Sequence, residues 1–199
     1  PAHPLRPMLW KVEGGKLAKP SYIFGTVHLG SGPLAKLHPA VDTAFGEADV
    51  VYTEIPMDAK SQLDGTMKTL RKDGKKLSDS IGPDLSKQFD AELSQINPQL
   101  DSTPFQLLKT WVAAISLELI EAQMKGETAM DQKLWQRAEK EGKKTDAIET
   151  LDSQLGVFDS FNEEEQVEFL AESLKMARED REAGKDSTQE LVDIYIKGD

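Results

Sequence analysis

Three side chains that could carry acid–base or metal chemistry each follow a segment typical of a β-strand. His28 ends the stretch SYIFGTVH, Glu54 follows DVVYT, and Glu149 follows TDAI. The segments are rich in aromatic and β-branched residues, which suit a pleated, half-buried surface. One imidazole with one or two carboxylates could hold a divalent metal through nitrogen and oxygen. The same groups could also perform general acid–base catalysis without a metal.

The order of elements predicts that these side chains meet. Residues 8–13 form a first predicted strand, which Gly14 and Gly15 end and which a hairpin or loop follows. A strand over residues 21–28, a helix over 39–48 and a strand over 49–54 form a β-α-β unit, whose connection is long enough for a crossover between parallel strands. Parallel strands end at one edge of a sheet, where open α/β sheets bind ligands. We therefore expect His28 and Glu54 to meet there, and Glu149 could join them.

Two further residues have a possible role beside these groups. Gly25 interrupts the strand before His28, and its lack of a side chain allows another backbone or a ligand to come close. Asp131, at the start of a predicted helix, could hydrogen-bond a ligating side chain. Purely structural roles are the alternatives: His28 as a hydrogen-bonded structural histidine, and Glu149 as a cap of the following helix, where negative charge is favoured.

The rest of the sequence is predominantly helical. Residues 57–130 are predicted to form a helical cap or insertion on a small sheet. Within them, a helix over residues 104–125 carries apolar side chains on all sides, which is typical of a helix in a core or at an interface. A homodimer through this helix is one expectation.

Composition narrows the partners and the location. The 199 residues carry 24 basic and 35 acidic side chains, a net charge of −11, which argues against nucleic acid or an anionic membrane as the main partner. Cysteine is absent, so no disulfide or thiolate site is expected. The sequence contains no apolar run of 18 residues, so no membrane span is predicted. The opening PAHPLRPMLW, without an initiator methionine, leads us to expect a periplasmic or secreted protein, with a cytoplasmic one as the alternative.

Several short motifs resemble the TraB/GumN/PrgY family, which includes the animal TIKI proteases. The family's Leu-Trp strand, Gly-Thr-x-His strand end and Ala-Asp-x-x-x-x-Glu strand correspond to Leu9-Trp10, residues 25–28 and residues 48–54. Further along, the family's Asp, Glu-Thr and Gln positions correspond to Asp131, Glu149, Thr150 and Gln154. The likeness extends from about residue 8 to the end of the chain.

The resemblance implies a fold, an activity and a set of site residues. The fold would be α/β, a small mixed or parallel sheet with a large helical portion, related to the erythromycin-esterase and ChaN-like group, with residues 1–199 in a single domain. The activity would be that of a metal-dependent peptidase acting on peptide or protein substrates. His28 and Glu54 would ligate Mn, Co or Zn, and Glu54 and Glu149 would serve in catalysis. Gly25, Thr26, Asp131 and Gln154 would support the site or bind substrate.

The resemblance also leaves alternatives open. The family has a second Gly-x-x-His strand after its last helix, and this sequence has none. The resemblance therefore implies that the chain is a C-terminally incomplete piece of a longer protein, or that another chain supplies the remainder. A non-catalytic module that sequesters a peptide or haem is the alternative function.

Overall fold

Helices and short strands alternate along the chain in the computed structural model, which describes residues 6–30, 32–124 and 128–198. The described residues form eight α-helices and four β-strands. In chain order they are β1 (Leu9–Val12), β2 (Ser21–Phe24), α1 (Pro39–Glu47), β3 (Val50–Thr53), α2 (Ala59–Thr69), α3 (Leu77–Ile96), α4 (Thr110–Met124), α5 (Met130–Lys140), β4 (Lys144–Ala147), α6 (Leu151–Asp159), α7 (Glu163–Glu182) and α8 (Ser187–Lys197). The structure is mixed α/β, mostly helical, with two small two-stranded sheets of which one is parallel. The predicted fold class is confirmed.

Strand pairing differs from the β-α-β prediction. β1 pairs with β2 in an antiparallel hairpin, and β3 pairs with β4 in parallel. The predicted parallel pairing of β2 with β3 is therefore wrong, because the two strands belong to separate two-stranded sheets. The register Thr53↔Ala147 places the carboxyl ends of β3 and β4 at the same edge of their sheet.

The chain divides into two compact units. Unit 1 consists of residues 1–57, 126–148 and 187–199, and unit 2 consists of residues 58–125 and 149–186. Both sheets belong to unit 1, together with α1, α5 and α8. Unit 2 is helical, and the predicted insertion over residues 57–130 overlaps its first segment.

The core of unit 1 forms where α5, α8 and a short 3-10 helix (Gly32–Leu34) meet. Its buried residues are Leu34, Met130, Val192 and Tyr195. Phe24 of β2 and Leu134 of α5 pack against them. α5 also packs on β3 and β4, so this one helix contacts both the core and the parallel sheet.

The core of unit 2 is built by α3, α4 and α7, which pack on one another. Buried residues of α4 include Trp111, Ala113, Ala114 and Ile120. Burial inside the unit accounts for the apolar faces of this helix. The structure begins α4 at Thr110, after a separate 3-10 turn (Thr103–Phe105); Lys125, the predicted end, lies outside the described residues. The homodimer through this helix stays a prediction.

Local signals explain the helix ends and one kink. Pro39 opens α1, whose N-cap His38 accepts a hydrogen bond from the Ala40 amide at 3.1 Å. Asn162 and Glu165 form a capping box at the start of α7. Inside α3, Gly82 has a φ of 73° directly before Pro83, a left-handed conformation that glycine adopts without steric cost. The helix therefore bends at this point.

Candidate active site

The loop of residues 25–30 follows β2 and holds Thr26 and His28. The predicted strand over 21–28 ends at Phe24 in the structure, so His28 lies four residues beyond the strand. The Gly25 amide donates to the Met8 carbonyl at 2.8 Å, and a Cβ at Gly25 would lie 3.2 Å from the Met8 Cβ. The close approach of this neighbouring segment accounts for glycine at position 25.

Asp131 joins the two polar side chains of this loop. Its Oδ1 accepts a hydrogen bond from the Thr26 hydroxyl at 2.6 Å, and its Oδ2 lies 3.3 Å from Nδ1 of His28. Asp131 occupies the first turn of α5, where the helix dipole favours a carboxylate. Its side chain is 6% exposed, whereas that of His28 is 62% exposed. Asp131 is therefore a buried anchor for a histidine that faces solvent.

This contact fixes which ring nitrogen of His28 carries the proton. An ionised carboxylate accepts hydrogen bonds and donates none, so Nδ1 of His28 must be the donor. In the neutral ring, Nε2 then holds the lone pair. The same arrangement of carboxylate and imidazole is common behind metal-ligating histidines, because it orients the ring and increases its basicity.

The pKa of His28 reflects these neighbours. The hydrogen bond with Asp131 raises the pKa above the ordinary 6.5, burial opposes this rise, and the charges of Asp131 and Glu54 add to it. Glu54, the residue after β3, is thus within electrostatic range of the imidazole. β2 and β3 lie in different sheets, yet the charge of Glu54 contributes to the raised pKa of His28.

The pKa of Asp131 shifts in the opposite direction. Burial favours its neutral form, but hydrogen bonds from His28 and Thr26, with the charge of His28, lower the pKa below the ordinary 3.8. Asp131 is therefore a carboxylate at neutral pH despite its burial.

Two residues that the sequence analysis did not single out support the same loop. The Tyr195 hydroxyl of α8 donates to the Gly25 carbonyl at 2.7 Å, and the ammonium of Lys133 on α5 hydrogen-bonds the Gly30 carbonyl. Val192, Tyr195 and Ile196 have the spacing of one helix face, which could have indicated burial. Nothing in that spacing points to the loop, because the contact spans 170 positions of sequence.

Two predicted site residues belong to unit 2. Glu149 is exposed, two residues after β4, and Gln154 is partly buried in α6. The N-cap of α6 is Thr150, whose hydroxyl accepts from the Ser153 amide at 3.1 Å, so the capping role considered for Glu149 falls to its neighbour. The roles of Glu149 and Gln154 stay predictions.

The donor types at this site suit a divalent cation. His28 offers an imidazole nitrogen and Glu54 a carboxylate, whereas a catalytic zinc site takes three protein ligands. Within residues 6–30, 32–124 and 128–198, no group of three or more His, Cys, Asp or Glu side chains could hold a metal ion. His28 and Glu54 are of donor types that a metal ion takes, but the described residues do not form a complete metal site.

The chain combines a mixed α/β fold with a buried carboxylate, Asp131, that hydrogen-bonds His28. The charge of a second carboxylate, Glu54, acts on the same histidine. This chain belongs to the TraB/PrgY/gumN family, whose model matches residues 8–199.

The chain also has a similar protein that is named as a metalloprotease. The chain is similar to Metalloprotease TIKI1 of Danio rerio, with 27% identity over 232 aligned positions that cover all of this chain and 46% of that protein. The chain thus spans about half the length of this relative. No solved structure matches the chain. No helix among the described residues has the length and apolar character needed to cross a membrane.

Proposed function

We propose that this chain is a metal-dependent peptidase, or part of one, with its reactive centre at the loop after β2. The observation that carries the proposal is the contact between the buried Asp131 carboxylate and Nδ1 of His28, in a chain similar to a metalloprotease. The substrate would be a peptide or a protein.

Each side chain has a defined task in this proposal. Asp131 holds the proton on Nδ1 of His28 and leaves Nε2 to bind a cation. Glu54 contributes a carboxylate ligand, and Thr26 orients Asp131 through its hydroxyl. Glu149 would serve as a ligand or a base, and Gln154 would bind substrate. His28 and Glu54 would hold a Mn, Co or Zn ion, which would supply Lewis-acid chemistry for hydrolysis when bound.

Peptide cleavage with and without added metal tests this function. A defined peptide mixture is incubated with the protein in Mn²⁺ or Co²⁺, and the products are identified by mass spectrometry. We expect cleavage that EDTA abolishes and that falls to background in His28→Asn and Glu54→Gln. Asp131→Asn should reduce the rate by roughly 10- to 100-fold, the usual cost of losing the partner of a ligating histidine.

Matched substitutions elsewhere in unit 1 separate loss of chemistry from loss of fold. His38→Asn keeps a side chain that can cap α1, and Glu139→Gln changes an exposed residue of α5; both should cleave like the wild type. Equal activity of all five variants would contradict the proposal. Binding of peptide or haem without turnover would favour the alternative, a module that sequesters its ligand.

A further inference from the structure

A cavity of about 230 Å³ lies beside α5 in unit 1. Its apolar walls come from the segment after the 25–30 loop and from α5: Leu34, Ala35, Leu37, Met130 and Leu134. Leu34 and Met130 are buried, whereas Ala35 is exposed to solvent. The cavity lining therefore includes both buried apolar residues and a residue that solvent reaches.

The charged groups at this cavity already have partners. Arg137 donates to Asp42 at 2.5 Å and to Glu141 at 2.8 Å, and its guanidinium lies 4.3 Å from the centre of the Phe45 ring. The ammonium of Lys133 is held by the Gly30 carbonyl. With both cations engaged, the cavity presents the aliphatic parts of these side chains. An uncharged, apolar occupant matches it best.

The cavity is connected to the candidate active site through α5 and the 25–30 loop. Met130 lines the cavity and directly precedes Asp131, the residue that holds His28. Lys133 lines it as well and bonds the carbonyl of Gly30, two residues after His28. The cavity is therefore lined by α5 residues next to the one that holds His28 and by one that bonds the same loop.

The volume of the cavity limits which group of a ligand could occupy it. The cavity is smaller than the range of about 300–1,000 Å³ typical of sites that enclose a whole small molecule. It is larger than an apolar cavity of about 150 Å³ that accommodates benzene in another protein. We propose that it receives one large apolar side chain, Leu, Met or Phe, of the peptide substrate. The inference rests on the proposed peptidase function.

Methyl NMR tests this inference without requiring catalysis. The chain, labelled at Met and Leu methyl groups, is titrated with acetyl-Ala-Leu-Ala-amide and with the matched acetyl-Ala-Ser-Ala-amide. We expect the Leu peptide to shift the Met130 and Leu134 methyl signals and the Ser peptide to leave them unchanged. Ala35→Trp, which adds a large ring at an exposed lining residue, should weaken binding about tenfold or more. Lys36→Trp, at the adjacent exposed residue outside the lining, should bind like the wild type.

Each outcome separates the cavity from the peptidase function. Binding of the Leu peptide by the wild type and loss of binding in Ala35→Trp support the inference, even when no peptide is cleaved. Equal shifts with both peptides, no shifts, or undiminished binding by Ala35→Trp would overturn it. Shifts caused by octanoate and not by the Leu peptide would overturn it as well and assign the cavity to fatty acids. Metal-dependent cleavage without preference for Leu, Met or Phe near the cut would leave the peptidase function standing and the inference refuted.

Discussion

At the scale of single residues, Asp131 connects the two polar side chains of the 25–30 loop. It is buried, yet its pKa is lowered because hydrogen bonds from His28 and Thr26 outweigh the effect of burial. Because His28 is mostly exposed, the benefit of this pair lies in orienting the ring more than in stabilising the fold.

The first prediction concerns the titration of His28. In metal-free Asp131→Asn, the pKa of His28 should fall from its raised value, because the largest cause of the rise is the hydrogen bond to Asp131. The ring proton signals followed by NMR from pH 5 to 9 measure this directly. The His38 signal, in the same spectrum, should not change between the two proteins. An unchanged His28 titration would contradict the contact.

The same pair gives a pH window for stability. The raised pKa of His28 means that its contribution is complete below about pH 6.5 and is lost as the pH rises through the raised pKa. The lowered pKa of Asp131 means that its contribution is present above pH 3.8 and is lost as the pH falls through the lowered pKa. The stability difference between wild type and Asp131→Asn should therefore be largest between these limits, as measured by urea unfolding across pH.

A second residue-scale prediction concerns Gly30. A Cβ at this position would lie 2.0 Å from the Thr128 carbonyl oxygen, so Gly30→Ala must displace backbone. We expect a loss of about 1–3 kcal/mol in the free energy of unfolding. Gly46→Ala, in α1 with no atom within 4 Å of the new methyl, should instead gain roughly 0.5–1 kcal/mol. Equal effects of the two substitutions in urea unfolding would contradict this packing.

At the scale of elements, α8 donates a hydrogen bond to the site loop from the Tyr195 hydroxyl. Burial, with the nearby charge of Asp131, raises the pKa of Tyr195 to about 12. Its contribution to stability is complete below pH 10 and is lost as the pH rises through about 12. Absorbance titration at high pH should show a late tyrosine transition that Tyr195→Phe removes. Persistence of that transition in the variant would contradict the assignment.

In unit 2, Arg71 joins three helices through hydrogen bonds of one side chain. Its guanidinium donates to Thr110 of α4 at 3.2 Å, Ser80 of α3 at 2.7 Å and Glu163 of α7 at 3.0 Å. The Arg71 side chain is 5% exposed, whereas those of its acidic partners, Asp73 and Glu163, are 41% and 47% exposed. Arg71→Met should therefore cost about 1–3 kcal/mol, and Lys72→Met, at an exposed neighbour, nearly nothing. Urea unfolding that finds equal losses would show that the network does not join these helices.

Element existence was more predictable from the sequence than element pairing. The run DVVYT predicts β3 closely, and Glu54 follows it as expected. The pairing of β2 with β3 was wrong, because the β-α-β pattern suggests neighbours in sequence, whereas the partner of β3 lies beyond four helices at β4. Tyr195 and Lys133 were missed because their contacts with the 25–30 loop are not encoded in local periodicity.

At the scale of the whole molecule, family membership and fold class agree with the sequence motifs. The resemblance singled out Thr26, His28 and Asp131, and the structure brings these three together in unit 1. Glu149 and Gln154 fall in unit 2, and their roles stay predictions. The central claim is that His28 and Glu54 are ligands of one metal ion.

Paramagnetic broadening of histidine signals by Mn²⁺ tests this claim most directly. Mn²⁺ added in substoichiometric amounts should broaden the ring signals of His28 well before those of His38, and Glu54→Gln should weaken the effect. Glu139→Gln should leave it unchanged. Equal broadening of His28 and His38, or selective broadening of His28 that does not depend on Glu54, would contradict the account.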